Sequence, residues 1–148
     1  MLYNHLASAY VLVGKPQIAD QINEVCYRRF PDYLFARLGH ASACLQRGEY
    51  EKVPEIIDNK FDLKLLYPNR SVFHITEVTA FMGIIGIYFV ERNDLGTAGT
   101  YYEILEEIAP DAPVTRELYR RLQPGLLKKL IRNITGLRSR AGSHVSEV

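Results

Sequence analysis

Apolar residues recur along the chain at intervals of three and four, which predicts a succession of amphipathic helices. In residues 2–13, Leu2, Leu6, Tyr10 and Val13 lie on one helical stripe. The other segments with helical spacing are 17–29, 33–47, 51–59, 72–91, 95–108, 113–122 and 126–134. Glycine and proline separate most of them, since glycine supports a left-handed turn and proline fits the first turn of a helix. The pattern therefore predicts an all-α chain.

Residues 60–70 interrupt this regular pattern. Their apolar residues are Phe61, Leu63, Leu65, Leu66 and Tyr67. Because so many apolar side chains would be costly in a solvated linker, we expect an ordered loop or an extra helical turn packed on the neighbouring helices. Ser71 follows, and we expect it to cap the helix that begins at residue 72.

The turns between the helices recur with a fixed spacing. Gly48 follows Gly14 by 34 residues, and Val53 follows Ala19 by the same interval. Ala98 follows Ala19 by 79 residues, which is two intervals of 34 and an insertion of 11. A period of this length is typical of repeat proteins, in which stacked copies together bury a core that one copy could not bury.

The residues within the copies resemble the tetratricopeptide repeat, whose signature runs from an aromatic residue and a Leu-Gly pair through a tyrosine, an alanine and an aromatic residue to a closing proline. The first copy has Tyr3-x2-Leu6-Ala7-x2-Tyr10, then Gly14, Ala19, Cys26 and Pro31. The third has Met82-x2-Ile85-Gly86-x2-Phe89, then Asn93, Ala98, Tyr102, Leu105 and Pro110. The middle copy departs from the signature, with His40 at the leucine position and Leu65 where the proline would be.

The resemblance implies an all-α solenoid of about three antiparallel helix pairs with C-terminal capping helices. The expected parts of a repeat domain over residues 1–123 are repeats at about 1–33, 34–70 with the insertion, and 71–111, and a cap at 113–123. An amphipathic basic helix at 124–137 and a disordered tail at 138–148 would follow. Since the first repeat begins almost at Met1 without a cap, we expect either a piece of a longer protein or an open end that a partner covers.

In this family the first helices of successive repeats form a groove that binds a peptide or a partner helix. The matching positions here are Asn4, Ser8, Val11, Phe35, Leu38, Ser42, Leu45, Gly83, Ile87 and Val90. Members that bind a terminal carboxylate place lysine, arginine and asparagine at such positions. This set contains one asparagine and no cation, so that carboxylate clamp is absent.

The expected groove is instead apolar with two hydroxyls, which suits the apolar face of an amphipathic helix. The resemblance thus implies a protein–protein interaction module, acting as an adaptor, a scaffold or a chaperone-like holder. Because a large open apolar groove is a liability, two alternatives stay open. The groove is either free for a partner or covered by the chain's own tail or by a second copy.

Charge is unevenly distributed along the chain. Residues 114–148 carry eight Lys or Arg and two Glu, a balance of +6, whereas residues 1–113 have a balance of −5. The last predicted helix has an apolar stripe of Leu126, Leu127, Leu130, Ile131, Ile134 and Leu137. It could cap the last repeat, join two subunits as a homodimer, or dock on an anionic membrane surface. Docking of the basic tail on nucleic acid is part of the same alternative but is the less favoured form, because stacking aromatics are missing from this region apart from Tyr119.

Other chemistry finds little support in the sequence. We expect no catalytic residue, no metal site and no cofactor, because the four histidines are scattered and Glu103, Glu106 and Glu107 have the spacing of a solvated helix face. Cys26 and Cys44 are expected to be buried free thiols in a reducing compartment. The most apolar run is too short to span a membrane, and there is no signal-peptide pattern, so we expect a cytoplasmic protein.

Overall fold

The computed structural model describes residues 2–123, apart from the side chains of Leu2 and Asn4. In this part of the chain helices are joined by turns and loops, and there is no strand. The helices are α1 (Leu2–Leu12), α2 (Pro16–Arg29), α3 (Leu34–Gln46), α4 (Lys52–Ile56), α5 (Leu63–Leu66), α6 (Ile75–Glu91) and α7 (Leu95–Ile108). Residues 113–123 form α8 up to the end of the described part. The all-α prediction is confirmed for these residues.

Three helices end in the same way. Gly14, Gly48 and Asn93 follow α1, α3 and α6 with positive φ values of 74°, 75° and 59°. At each end the residue after the left-handed position donates its N–H to a carbonyl five residues back, with N···O distances of 2.8, 2.9 and 2.9 Å. This is the Schellman motif, which satisfies carbonyls that have no partner within the helix. The spacings of 34 and 79 residues in the sequence thus correspond to identical turns.

The helix starts follow from local side chains. Pro16 is the first residue of α2, and the Asp94 carboxylate accepts a bond from the Thr97 N–H at the start of α7. The expected cap at Ser71 is wrong, because α6 begins later, at Ile75. There His74 caps α6 with its ring, and the Glu77 carboxylate accepts from the His74 N–H in return. A capping box therefore fixes the start of α6.

The insertion forms an ordered helical turn, which was one of the two predicted alternatives. Asp62 caps α5 by accepting bonds from the Lys64 and Leu65 N–H groups. Leu63 and Leu66 are buried, so the segment packs on the core. However, α4 has five residues where the sequence predicted a helix over 51–59. The chain leaves α4 through Asp58 and Asn59, which both have positive φ.

The core lies between α3, α4, α6, α7 and α8. Its largest fully buried side chains are Phe81, Leu34, Ile57, Ile85, Leu105, Leu118, Val53 and Cys44. Consecutive long helices pack side by side: α1 on α2, α2 on α3, α3 on α6 and α6 on α7. Ala19 of α2 and Ala98 of α7 are both fully buried. Small side chains at these points allow close approach of two helices.

The Arg37 side chain ties α3 to the end of α4. Its guanidinium is buried and donates to the Ile56 carbonyl at 2.7 Å and to the Asp58 carboxylate at 2.9 Å. A second pair, to Asp32, is longer at 3.4 Å. Because Ile56 ends α4, this arginine supplies a donor to a carbonyl that the short helix leaves unpaired.

Helix α8 packs on α6 through two glycines. Val114 lies against Gly83, and Leu118 lies against Gly86. The Arg121 guanidinium reaches Glu91 at the C-terminal end of α6, at 2.6 Å. Since these contacts advance together along both helices, α8 runs in the same direction as α6. The predicted basic helix at 124–137 and the predicted tail at 138–148 lie outside the described residues.

Candidate binding groove

A groove crosses α1, α3 and α6 and is bordered by α2; we call it the α3 groove. It has a volume of about 290 Å³. Five of the residues expected from the sequence line it: Ser8, Val11, Phe35, Leu38 and Ser42. Residues of α1 and α3 thus meet on one surface because the two helices lie in contact.

Other expected groove residues lie elsewhere. Leu45 and Ile87 are buried in the core, and Gly83 is covered by Val114. Val90 is partly buried against the same core. The Asn4 side chain is outside the described residues. Gly83 therefore faces α8, and the sequence pattern of α6, which is apolar almost all round, does not show which side of this helix meets α8.

The depth of the groove differs between its expected residues. Leu38 forms the floor and is only 3% exposed, so it also belongs to the core. Val11 stands on the rim and is 56% exposed. A partner would therefore contact Leu38 at the bottom of the groove and cover Val11 at its edge.

Sequence reasoning missed a polar border on α2 and α3. Asp20, Asn23 and Gln46 line the groove beside the expected residues. Asp20 faces the Arg47 guanidinium at 3.7 Å, so its charge is partly balanced. The Asn23 amide packs so closely on Gly39 that a Cβ there would stand 2.8 Å from its oxygen. Asn23 of α2 thus reaches the groove beside α3, at a position where α3 carries a glycine.

A second cavity continues the same surface toward α8; we call it the α6–α8 cavity. It has a volume of about 540 Å³. Its lining residues are Ile75, Thr76, Thr79, Ala80, Ile84, Ala109, Ala112, Pro113 and Val114. Ala80 and Ile84 also line the α3 groove. The two cavities are therefore adjacent and share these two residues of α6.

A third cavity, larger than the other two, lies on α5, α6 and α7, and sequence reasoning missed it. It has a volume of about 670 Å³ and is lined by aromatic side chains that include Phe61, Phe73, Phe81 and Tyr101. Its polar groups already have partners in the chain: the Tyr101 hydroxyl donates to the Phe61 carbonyl at 2.7 Å, and the Lys64 ammonium donates to two backbone carbonyls. A ligand there would meet apolar walls with few free polar groups.

The side chains best suited to nucleophilic chemistry are the buried thiol of Cys44 and the half-buried ring of His40. His40 stacks on Tyr27 at 4.8 Å between centroids, and its Nε2 lies 4.0 Å from the Cys44 Sγ. Burial raises the pKa of the Cys44 thiol, and burial followed by the Arg47 charge lowers the pKa of His40. The pair is therefore a protonated thiol beside a neutral ring, which is typical of packing residues and not of a reactive thiolate. Burial also raises the pKa of the Cys26 thiol.

Metal binding and membrane crossing find no structural basis in the described part of the chain. Between residues 2 and 123 no group of three or more His, Cys, Asp or Glu side chains is placed to hold a metal ion. No helix among the same residues has the length and apolarity that a membrane crossing requires.

Comparisons of the chain with protein-family models, curated proteins and solved structures gave no match. The tetratricopeptide resemblance accordingly stays a prediction from the residues.

Proposed function

We propose that this chain is a protein-interaction module built from tetratricopeptide-like repeats, and that it holds the apolar face of a partner helix or peptide. The observation that carries this proposal is the sharing of Ala80 and Ile84 by the α3 groove and the α6–α8 cavity. Because the two cavities join there, one surface extends over α1, α3, α6 and the start of α8. An adaptor, a scaffold and a chaperone-like holder would all use such a surface.

The repeated turns support the repeat interpretation. Gly14, Gly48 and Asn93 have the same left-handed conformation and the same pair of backbone hydrogen bonds. Ala19 and Ala98, each five residues after its turn, are both fully buried. Val53 is buried at the same distance from Gly48. Three helix–turn–helix units with one design would bring their first helices to one side, which is where the groove lies.

The lining determines the chemistry of the partner. The floor is apolar, with Leu38, Ala43, Ala80 and Ile84, and the border carries hydroxyl and amide groups that can pair with a backbone or a polar side chain. No lysine or arginine lines the α3 groove within residues 2–123. A partner with aliphatic side chains on one face fits this lining, whereas an acidic peptide would find no counter-charge.

The test compares two exposed valines. Val11 lies on the rim of the α3 groove and is 56% exposed, whereas Val25 lies on α2 outside the groove and is 51% exposed. Peptides are selected from a displayed random library on the full chain. A second selection uses the Ile134→Asp variant, in which the apolar stripe of the predicted last helix carries a charge. Binding of the selected peptides to the Val11→Asp and Val25→Asp variants is then measured. We expect aliphatic-rich peptides whose affinity falls at least about tenfold with Val11→Asp and is unchanged with Val25→Asp.

Two results would contradict the proposal. The first is failure to enrich any peptide on either form of the chain. The second is enrichment of peptides that bind equally well to the Val11→Asp and Val25→Asp variants. Leu38 is not used for this test, since a buried charge at a residue 3% exposed would destabilise the fold itself.

Docking of a basic tail on an anionic membrane or on nucleic acid is the alternative function. Two of the basic residues of α8 have carboxylate partners, because Arg120 and Arg121 both pair with Glu117 and Arg121 also pairs with Glu91. Most of the other basic residues of this region lie beyond residue 123. No contact within the described residues favours this alternative over the groove.

A further inference from the structure

The α6–α8 cavity has a candidate occupant in the chain itself. We propose that residues 126–137 form a helix that returns along α8 and docks its apolar stripe in the α6–α8 cavity, where it reaches Ala80 and Ile84. The regulatory consequence of this docking rests on the proposed function, whereas the docking itself does not.

The first argument is where the described chain ends. Residue 123 is the last described residue of α8, which runs in the same direction as α6, and Pro124-Gly125 follows. Proline and glycine together favour a break in the helix. A helix over 126–137 would be about 18 Å long, and α8 over 113–123 is about 16 Å long. The segment therefore has the length to run back to the start of α8, where the cavity lies.

The register of such a return can be counted. In an antiparallel pair closed at Pro124-Gly125, Ile134 comes level with Thr115, and Leu137 comes level with Ala112. Ala112 and its neighbours Pro113 and Val114 form one wall of the cavity. The second half of the apolar stripe therefore lies opposite the cavity, and its first half lies opposite the last turn of α8.

The second argument is the chemistry of the two surfaces that the segment could reach. The outer face of α8 exposes Arg116, Arg120 and Gln123 around Tyr119. An aliphatic stripe set against that face would desolvate two guanidinium groups. The α6–α8 cavity is lined by alanine, isoleucine, proline, valine and threonine and has no charged residue in its lining. Burial of aliphatic side chains there removes apolar surface from water on both sides.

The orientation of the stripe leaves the cations in water. On a helix, Lys128, Lys129 and Arg132 lie opposite the apolar residues. With the stripe in the cavity they would point away from α6 and α8. No buried carboxylate is needed to balance them, which agrees with the uncharged lining of the cavity.

The consequence for the proposed function is competition. Ala80 and Ile84 belong to both cavities, so a docked tail covers the end of the α3 groove. A partner that needs the whole surface must displace the tail. Its apparent affinity is then the intrinsic affinity multiplied by the fraction of molecules in which the groove is open.

Cysteine cross-linking tests the docking in the full chain. One variant carries Ile84→Cys and Ile134→Cys, and its matched control carries Tyr119→Cys and Ile134→Cys. The native Cys26 and Cys44 are buried and stay in place. Tyr119 is 48% exposed and is nearer to Ile134 along the chain, so tethering alone would favour the control pair. Under mild oxidation we expect an intramolecular disulfide at least about tenfold faster in the Ile84 pair.

Three outcomes would overturn the docking: no disulfide in the Ile84 pair, equal or faster reaction of the Tyr119 pair, or cross-linked dimers in place of intramolecular disulfides. The last would assign the cavity to a second copy of the chain. Measurement of the cross-linked mass separates these outcomes without any partner. Failure of the proposed function therefore leaves this result interpretable.

The regulatory consequence has its own measurement. Ile134→Asp should release the tail, and Thr135→Asp makes the same change in charge at the next position, outside the apolar stripe of the predicted helix. For a Val11-dependent peptide we expect about tenfold higher affinity with Ile134→Asp if the tail occupies the cavity about 90% of the time. We expect no change with Thr135→Asp. Equal affinities for the parent chain and both variants would show that the tail does not compete.

Discussion

Val114 packs directly on Gly83, so that a Cβ on that glycine would overlap a methyl group of the valine. This contact brings α8 against α6, and Leu118 on Gly86 repeats it one turn further along. The glycines therefore serve packing and not turn formation. Gly83, which the sequence placed in the groove, instead lies under Val114 at the contact between α6 and α8.

Gly83→Ala should destabilise the chain by about 1–3 kcal/mol, because the added methyl group must displace Val114 or separate the helices. Gly99→Ala is the matched control, since Gly99 is also helical and an added methyl group would have no neighbouring atom within 4 Å among the described residues. That change should stabilise the chain by up to about 1 kcal/mol through helix propensity. Denaturant unfolding of both variants checks the prediction, and equal effects would contradict the close contact.

The turn after α3 supports a prediction about backbone strain. Gly48 has a φ of 75°, and a Cβ there would have only the Tyr50 hydroxyl at 4.0 Å. Gly48→Ala should therefore cost about 1 kcal/mol through left-handed strain alone. If Asn93 holds the same position in its own turn, Asn93→Ala should cost about as much, while Asn93→Gly should change stability by less than about 0.5 kcal/mol. Thermal unfolding measures these changes. A large loss of stability in Asn93→Gly would show that Asn93 and Gly48 are not equivalent turn positions.

Much of the helical order could be predicted from the sequence, because spacing and turn residues act locally. The bounds of α7 were predicted correctly, since Asp94 caps its start and proline follows its end. The start of α6 was missed because a serine hydroxyl and a histidine ring can both cap a helix. The early end of α4 was missed, because the Arg37 donor that pairs with its Ile56 carbonyl comes from 19 residues away and leaves no local signal in the sequence.

The groove was harder to predict than the helices. On α1 and α3, position within the helix was enough to find Ser8, Val11 and Ser42. On α6 the position within the helix was not enough, because this helix has apolar side chains on nearly all of its faces. Its periodicity therefore does not show which face meets α8. The contribution of Asn23 from α2 depends on a glycine in α3, and this kind of three-dimensional relation leaves no signal in the spacing of one chain.

The buried guanidinium of Arg37 at the junction of α3 and α4 allows a further test of stability. Arg37→Met keeps most of the apolar stem but leaves the Ile56 carbonyl without its donor, which should cost about 2 kcal/mol. Arg37→Lys should recover only part of this loss, since Nη1 donates to Ile56 and Asp58 while Nη2 donates to Asp32, and one ammonium nitrogen cannot reach all three. Denaturant unfolding gives the free energies.

The control for this test is an arginine with an exposed ion pair. Arg28 pairs with Glu24 on the surface of α2, and its side chain is largely exposed. Arg28→Met should change stability by less than about 0.5 kcal/mol. A loss at Arg28 as large as that at Arg37 would mean that charge removal, and not the bond to Ile56, destabilises the variants.

The capping box of α6 predicts a dependence of stability on pH. Arg70 donates two bonds to the Glu77 carboxylate, at 3.0 and 2.8 Å, and the His74 N–H donates a third. The Arg70 bonds, followed by the His74 bond, lower the pKa of Glu77 from its ordinary value of 4.5. Because the folded pKa is depressed, the stabilisation is present above pH 4.5 and is lost as the pH falls through the folded pKa.

Glu77→Gln should therefore cost about 1 kcal/mol at neutral pH, and its difference from the parent chain should shrink steadily toward about pH 3. Glu107→Gln serves as the control, since Glu107 is exposed and has no ion pair within residues 2–123. That variant should differ from the parent chain by less than about 0.5 kcal/mol at neutral pH. The unfolding free energies of the parent chain and both variants are measured over this pH range. If the difference between the parent chain and Glu77→Gln does not change with pH, the Glu77 carboxylate is not held ionised by Arg70 and the His74 N–H.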